Sequence, residues 1–167
     1  MRLEELKELR DNIPKELLSA TFNELYFWTV WGIIRHIADE GVEKNRIKNT
    51  LRSYAEWLGK QAAPQLKIAV PNLDNSPESA ANLIAFAWVL HDMKATSEKN
   101  VVIVARCLHH KNWKKNKLQD LISCNDYCKT LIDQFVEGAI GPGITLTFKQ
   151  CMSKGDKVCE IHFEKSQ

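Results

Sequence analysis

The sequence predicts an α+β fold: four or five N-terminal helices packed on a small antiparallel sheet of about three strands, with a helix pair inserted after the first strand. Three observations carry this expectation. Between about residues 21 and 93, apolar side chains recur at the three- and four-residue spacing of helices. Near residue 100 the period changes to two, in a short β-branched segment flanked by polar residues. Beyond residue 140, Gly141-Pro142-Gly143 and Ser153-Lys154-Gly155-Asp156 bound two further alternating segments, the pattern of a hairpin. One domain over 1–167 is expected, with a helical half at about 1–95 and a sheet-containing half at about 99–164.

Each element has its own signal. Residues 3–19 read as one or two short helices interrupted near Pro14. Residues 21–40 read as a longer helix, apolar on nearly every side through Phe22, Leu25, Tyr26, Phe27, Trp28 and Trp31, which is the pattern of a central, buried helix. Gly41 is its stop. Residues 43–62 form an amphipathic helix, with Ile47, Leu51, Tyr54, Leu58 and Ala62 on one face and Arg46, Lys48 and Arg52 turned away. Residues 63–75, with Pro64 and Pro71, read as a connection, briefly extended at 66–70. Ser76-Pro77-Glu78-Ser79 is a helix start, with a hydroxyl cap, proline at the first helical position and an acid in the first turn. That helix is expected to reach Met93.

Val101-Val102-Ile103-Val104-Ala105 reads as a strand, 113–122 as a short helix and 124–139 as a better one. After Gly143, Ile144, Leu146, Phe148 and Met152 take one face of a strand, and Thr145, Thr147, Lys149 and Cys151 the other. Val158 to Phe163 is the returning strand.

Composition bounds the function. The chain has 167 residues, 44% apolar and 26% charged, which is an ordinary globular balance and excludes disordered, collagenous and disulfide-scaffold classes. A net charge of +2 gives no footprint for nucleic acid. The longest apolar run, Leu25 to Ile34, is half of what a membrane span needs. The charged N-terminus lacks the apolar core of a signal peptide, so a cytoplasmic location is expected. In that reducing compartment the five cysteines are thiols or metal ligands.

Four of those cysteines form a constellation. Cys124 and Cys128 sit four apart on a predicted helix, so their thiols share a face. Cys151 and Cys159 flank the hairpin turn. If the turn pairs Met152 with Val158, the two cysteines lie opposite one another; if it pairs Met152 with Lys157, they point to opposite faces. In the first register, the two pairs could surround one tetrahedral Zn²⁺. A second reading is plain core packing, since Cys124 and Cys128 continue the stripe of Leu131, Ile132, Phe135 and Ala139. A Cys151–Cys159 disulfide is a third, opposed by the compartment.

The tail from Cys151 through Gly155-Asp156 to Cys159-Glu160-Ile161-His162-Phe163 resembles the C-terminal hairpin of vinyl-4-reductase-type domains, small α+β ligand-binding domains. The segment from Ser123 to Phe163, with Cys124-Asn125-Asp126 and Gly155-Asp156-Lys157-Val158-Cys159-Glu160, resembles the related L-2-amino-thiazoline-4-carboxylic acid hydrolase family. The first resemblance implies zinc, with iron as the alternative, held by Cys151, Cys159 and an upstream cysteine, Cys124 or Cys128. The glutamate of that family's site falls on Phe148 here, and the second helix cysteine would take its place. The resemblance also implies an apolar or aromatic ligand between the 21–40 and 77–93 helices and the sheet, for which Tyr26, Trp28, Trp31, Phe86, Trp88 and His91 are the lining candidates. A solid aromatic core is the alternative.

His36 and His91 lie on helices read as buried, where a histidine ordinarily has its hydrogen bonds satisfied. His109-His110 opens a basic stretch with Lys111, Lys114, Lys115 and Lys117 around Trp113, read as a solvated face; His109, His110 or Cys107 could supply a spare metal ligand. Asp126 is either an acid in a helix first turn or, beside Cys124, a base next to a nucleophile or metal.

The function expected is therefore binding of a small apolar or aromatic molecule by a vinyl-4-reductase-like domain braced by a cysteine metal site. The alternative is a hydrolase that opens a cyclic C=N bond, with Cys124 and Asp126 as candidate catalytic groups. A homodimer is left open; no nucleic acid and no membrane span is expected.

Overall fold

The computed structural model describes residues 15–70 and 72–166. Among the described residues five helices, α1 (Lys15–Asp39), α2 (Lys44–Ala69), α3 (Pro77–Leu90), α4 (Leu108–Lys115) and α5 (Cys128–Ala139), accompany four strands, β1 (Lys94–Glu98), β2 (Val101–Arg106), β3 (Ile144–Gln150) and β4 (Cys159–Lys165). The fold is α+β with N-terminal helices, as the period change implies. All strand pairs are antiparallel, in the order β1-β2-β4-β3, so the strand made last stands between β2 and β3.

The sheet is one-sided. Val102, Val104, Leu146, Cys159, Ile161 and Phe163 are buried on its inner face, while Thr145, Thr147 and Lys149 are exposed on the outer one. Helix α3 packs across β1, β2 and β4, and α5 packs on β3 and on α3. A second layer lies outside: α2 runs along α5, and α1 along α4. The α2–α5 approach is close because it is made of small residues. A Cβ at Gly59 would fall 2.4 Å from Gln134 Cβ, and one at Gly138 would fall 2.6 Å from Ala63 Cβ. Nothing larger than hydrogen fits either place without displacement.

Several elements differ from expectation. Residues 15–19 belong to α1, which runs unbroken to Asp39; residues 3–14 and Pro14 lie outside the described residues. Helix α1 is not buried all round. Phe27 and Trp31 are buried, but Leu25, Trp28, Ile33 and Ile37 are exposed, and so is His36, because α1 is covered on one side only, by α4 and α2. Gly41 does stop the helix, with φ +82°.

Residues 63–69 are helical rather than extended. Helix α2 carries Pro64 in its interior, since Ala63 and Leu66 continue the buried stripe of Ile47, Leu51, Ala55 and Gly59 against α5. The packing of that stripe outweighs the hydrogen bond lost at proline. Ser76 caps α3 as expected, accepting from Ser79 N–H at 3.1 Å, but the helix ends at Leu90 and β1 follows. The helix pair is accordingly inserted after the second strand. Its first helix begins at Leu108, and residues 124–127 are a turn ahead of the second.

Candidate functional site

The cysteine pairs meet through two local devices. The first is a bulge in β3. Register with β4 shifts between Phe148↔Ile161 and Gln150↔Glu160, so Lys149 is an extra residue. Strict alternation would turn Cys151 outward with Thr147. The extra residue reverses that parity, and Cys151 is buried on the inner side with Cys159. The last paired residues, Gln150 and Glu160, agree with the register that sets Cys151 opposite Cys159.

The second device is the turn. Asp156 Oδ2 accepts from Cys151 N–H at 2.7 Å, and Gly155 supplies the left-handed conformation with φ +100°. Met152 N–H points at Cys159 Sγ, 3.3 Å away. Ser153 ties the hairpin to the turn before α5: its Oγ accepts from Cys124 N–H at 3.3 Å and lies 3.1 Å from Cys151 Sγ.

The sulfurs of Cys124, Cys151 and Cys159 lie within 4.8 Å of one another, all buried. Tetrahedral Zn–S bonds of about 2.3 Å separate their sulfurs by about 3.8 Å, so small movements would close this set on an ion. Cys128, on the first turn of α5, also reaches Cys124. Hydrogen bonding among the Cys128, Cys151, Cys159 and Cys124 side chains holds the Cys124 thiol well below its ordinary range. The same hydrogen bonds push Cys128, Cys151 and Cys159 upward. Three thiols thus surround a fourth sulfur, and the cluster supports a single thiolate until a cation offsets the mutual repulsion. A void of about 10 Å³, bordered by Cys124, Cys128 and Cys159, accompanies them. That is room for about one water or one ion. Soft thiolate donors select zinc or iron over hard cations.

Cys107 and His109 border the same void. Cys107 caps α4, its sulfur accepting from His110 N–H at 3.5 Å, and burial pushes its thiol up to about 12. His109 stands between the thiols and a cluster of rings. Its ring centroid is 4.7 Å from Phe27, 5.4 Å from Tyr127 and 6.1 Å from Trp88, mostly in edge-to-face contacts.

Across His109 and Trp88 lies a second, larger cavity of about 200 Å³ between the helices. Phe27, Tyr127 and Phe135 line it with Trp88; Leu58, Ala62 and Leu131 complete its apolar wall. Tyr26 stands at the rim, partly exposed, with its hydroxyl 3.0 Å from that of Tyr54. His91 and His109 are its imidazoles, and neither Nδ1 has a hydrogen-bond partner among the described residues. Burial lowers both, His109 to about 3, and burial raises the Tyr26 and Tyr127 phenols. The lining is therefore uncharged near neutral pH.

The model of the L-2-amino-thiazoline-4-carboxylic acid hydrolase family matches residues 24–163. The chain belongs to this family. The match takes in α1 from its middle through to β4, and so includes the four cysteines and every cavity residue named above. No curated protein and no solved structure matches the chain.

The family's common span places the expected residues unevenly. Tyr26, Trp88 and His91 border the larger cavity. Trp31 packs in the aromatic core instead, edge-to-face on Trp113 and Tyr127. Phe86 is half-buried against that core, and Trp28 is 53% exposed on the outer face of α1, with Lys115 Nζ 4.4 Å from its ring centroid. Helical periodicity explains the split: Trp28 lies about 100° around the helix from Phe27, to one side of the Phe27–Trp31 stripe. Trp113 is fully buried, so the lysines that follow it form a solvated edge rather than a patch around a ring. His91 is not hydrogen-bonded at Nδ1 as a core histidine should be.

Asp126 borders neither void. It exchanges hydrogen bonds with Ser123, whose Oγ donates to Oδ2 at 2.9 Å and accepts from Asp126 N–H at 3.3 Å, and it lies 3.8 Å from Arg52. That arrangement organises the turn before α5. His109, Tyr127 and Phe135 escaped notice as cavity residues. Their only signal was position, a histidine and a tyrosine each within two residues of a cysteine.

Proposed function

We propose that this member of the family binds a small apolar or aromatic molecule in the cavity beside His109, and that a zinc ion held by Cys124, Cys128, Cys151 and Cys159 braces the wall of that cavity. The approach of the Cys124, Cys151 and Cys159 sulfurs to within 4.8 Å of one another, beside an ion-sized void that Cys128 also borders, carries the reading. A bound zinc would tie β3, β4 and the start of α5 together, and four thiolates leave it no open position. The likeness of the hairpin to vinyl-4-reductase-type domains supports the same assignment. On this reading residues 1–167 are one domain working in the reducing cytoplasm, where the cysteines stay out of disulfides. Metal analysis of untagged protein is expected to find about one zinc per chain, and a chelator is expected to lower the melting temperature. No stoichiometric metal, with a melt indifferent to chelator, would overturn it.

The family match favours a second reading, a hydrolase that opens a cyclic C=N bond. It needs a reactive group that substrate can touch, and Cys124 lies in the small void, behind Trp88 and His109 from the larger one. If it holds, Cys124→Ser abolishes turnover of L-2-amino-thiazoline-4-carboxylate and leaves the melting temperature nearly unchanged.

A further inference from the structure

We infer that the larger cavity selects an uncharged aromatic ring bearing a hydrogen-bonding nitrogen or oxygen, and rejects the carboxylate of the same ring. The inference rests on the proposal that this cavity is the ligand site.

Size comes first. A dry cavity of roughly 150 Å³ takes benzene, so about 200 Å³ takes one substituted or fused ring. Shape comes second. Phe27, Trp88, Tyr127 and Phe135 present faces and edges, the surfaces on which a flat ring packs best.

Charge decides the class. Among the described residues that line the cavity there is no Lys, Arg, Asp or Glu. A carboxylate entering it would lose its water and meet no fixed cation. The groups able to become one on its wall are the imidazoles of His91 and His109; His109 is buried among rings, and burial disfavours the charged form of both. Burying both members of an ion pair costs more than their attraction returns unless the remaining hydrogen bonds are also satisfied. The Tyr26 hydroxyl, paired with that of Tyr54, stands at the rim.

A polar but neutral atom is another matter. His91 Nδ1 and His109 Nδ1 are buried without partners, and leaving such atoms unpaired is unfavourable. A ring nitrogen or a phenol that met one of them would relieve that deficit, and a bare hydrocarbon would not. The family's description names a carboxylic acid as substrate. The inference therefore separates this chain's ligand from the molecule in that description.

Titration calorimetry of the metal-loaded, full-length protein with benzimidazole, benzimidazole-5-carboxylate and indene at neutral pH tests it. Benzimidazole is expected to bind at least about tenfold more tightly than either of the others. Ala62→Phe, which fills the cavity, is expected to remove the binding. Should that variant fail to fold, ligand-induced shifts of the Trp88 and His109 ring resonances in the unaltered protein locate the site. Equal or tighter binding of the carboxylate, or of indene, would overturn the inference while leaving the cavity as a ligand site. Binding of none of the three would overturn the cavity reading itself and the inference with it.

Discussion

Two voids share the wall made by Trp88 and His109, and they differ in almost every property. One is ion-sized and bordered by sulfur; the other is ring-sized and bordered by aromatic carbon. The thiol side is held from several directions, by the β3 bulge, the Asp156 turn and the Ser153 bridge, which fix the backbone that carries Cys151 and Cys124. The cavity side is held chiefly by packing, between helices that meet at aromatic edges, with the Tyr26–Tyr54 contact at its rim. Polar, directional contacts fix positions for a small ion. Loose apolar packing leaves volume for an organic ring. The same fold thus holds two kinds of void a single indole apart.

The largest expected effect breaks the thiol side. Cys124→Ser removes the sulfur on which the other three converge, and stoichiometric metal should be lost with it. The melting temperature should fall on the order of 10 °C, because metal binding energy is folding energy. Cys107→Ser sharpens the contrast: it borders the same void but stands outside the cluster, and should keep the metal. Equal metal content in the two variants would dissolve the distinction.

An intermediate effect removes the wall. Trp88→Ala should destabilise the protein by about 3–5 kcal/mol in urea unfolding, the usual loss for a buried large ring. The two voids should merge while the four cysteines still hold metal. Loss of metal together with the wall would mean that the two sides are not separable.

The smallest effect lies at neither void. Asp126→Asn weakens the Ser123 turn and the nearby contact with Arg52, for about 0.5–1 kcal/mol. Metal content and benzimidazole affinity should be unchanged, as measured by elemental analysis and calorimetry. A specific loss of ligand binding would bring Asp126 into the site.

What the sequence made legible follows the strength of local patterns. Strands β2, β3 and β4 and the capped start of α3 are written in alternation and in a Ser-Pro-Glu signal, and all stand where expected. Strand β1 was invisible because Lys-Ala-Thr-Ser-Glu lies at a sheet edge and turns only Ala95 and Ser97 toward partial burial. The faces of α1 were misjudged because a helix apolar all round does not reveal which side its neighbours cover. Proline misled at position 64, where tertiary packing overrode a local breaker. The cysteine constellation was legible as four residues but not as a site, since alternation without the Lys149 bulge sends Cys151 to the wrong face. The aromatic cavity was half legible: Tyr26, Trp88 and His91 border it, while His109, Tyr127 and Phe135 reach it from elements whose register only the tertiary structure fixes.

The strand order β1-β2-β4-β3 sets a timetable for a growing chain. Strand β4 is the last to leave the ribosome, yet it fills the middle of the sheet. Until it arrives, β2 presents a bare edge with Val102 and Val104 beside it, and β3 has no partner strand at all. Such an edge pairs readily with neighbouring chains. Cys159 is the first residue of that strand, so the step that completes the sheet is also the step that brings the last sulfur to the other three.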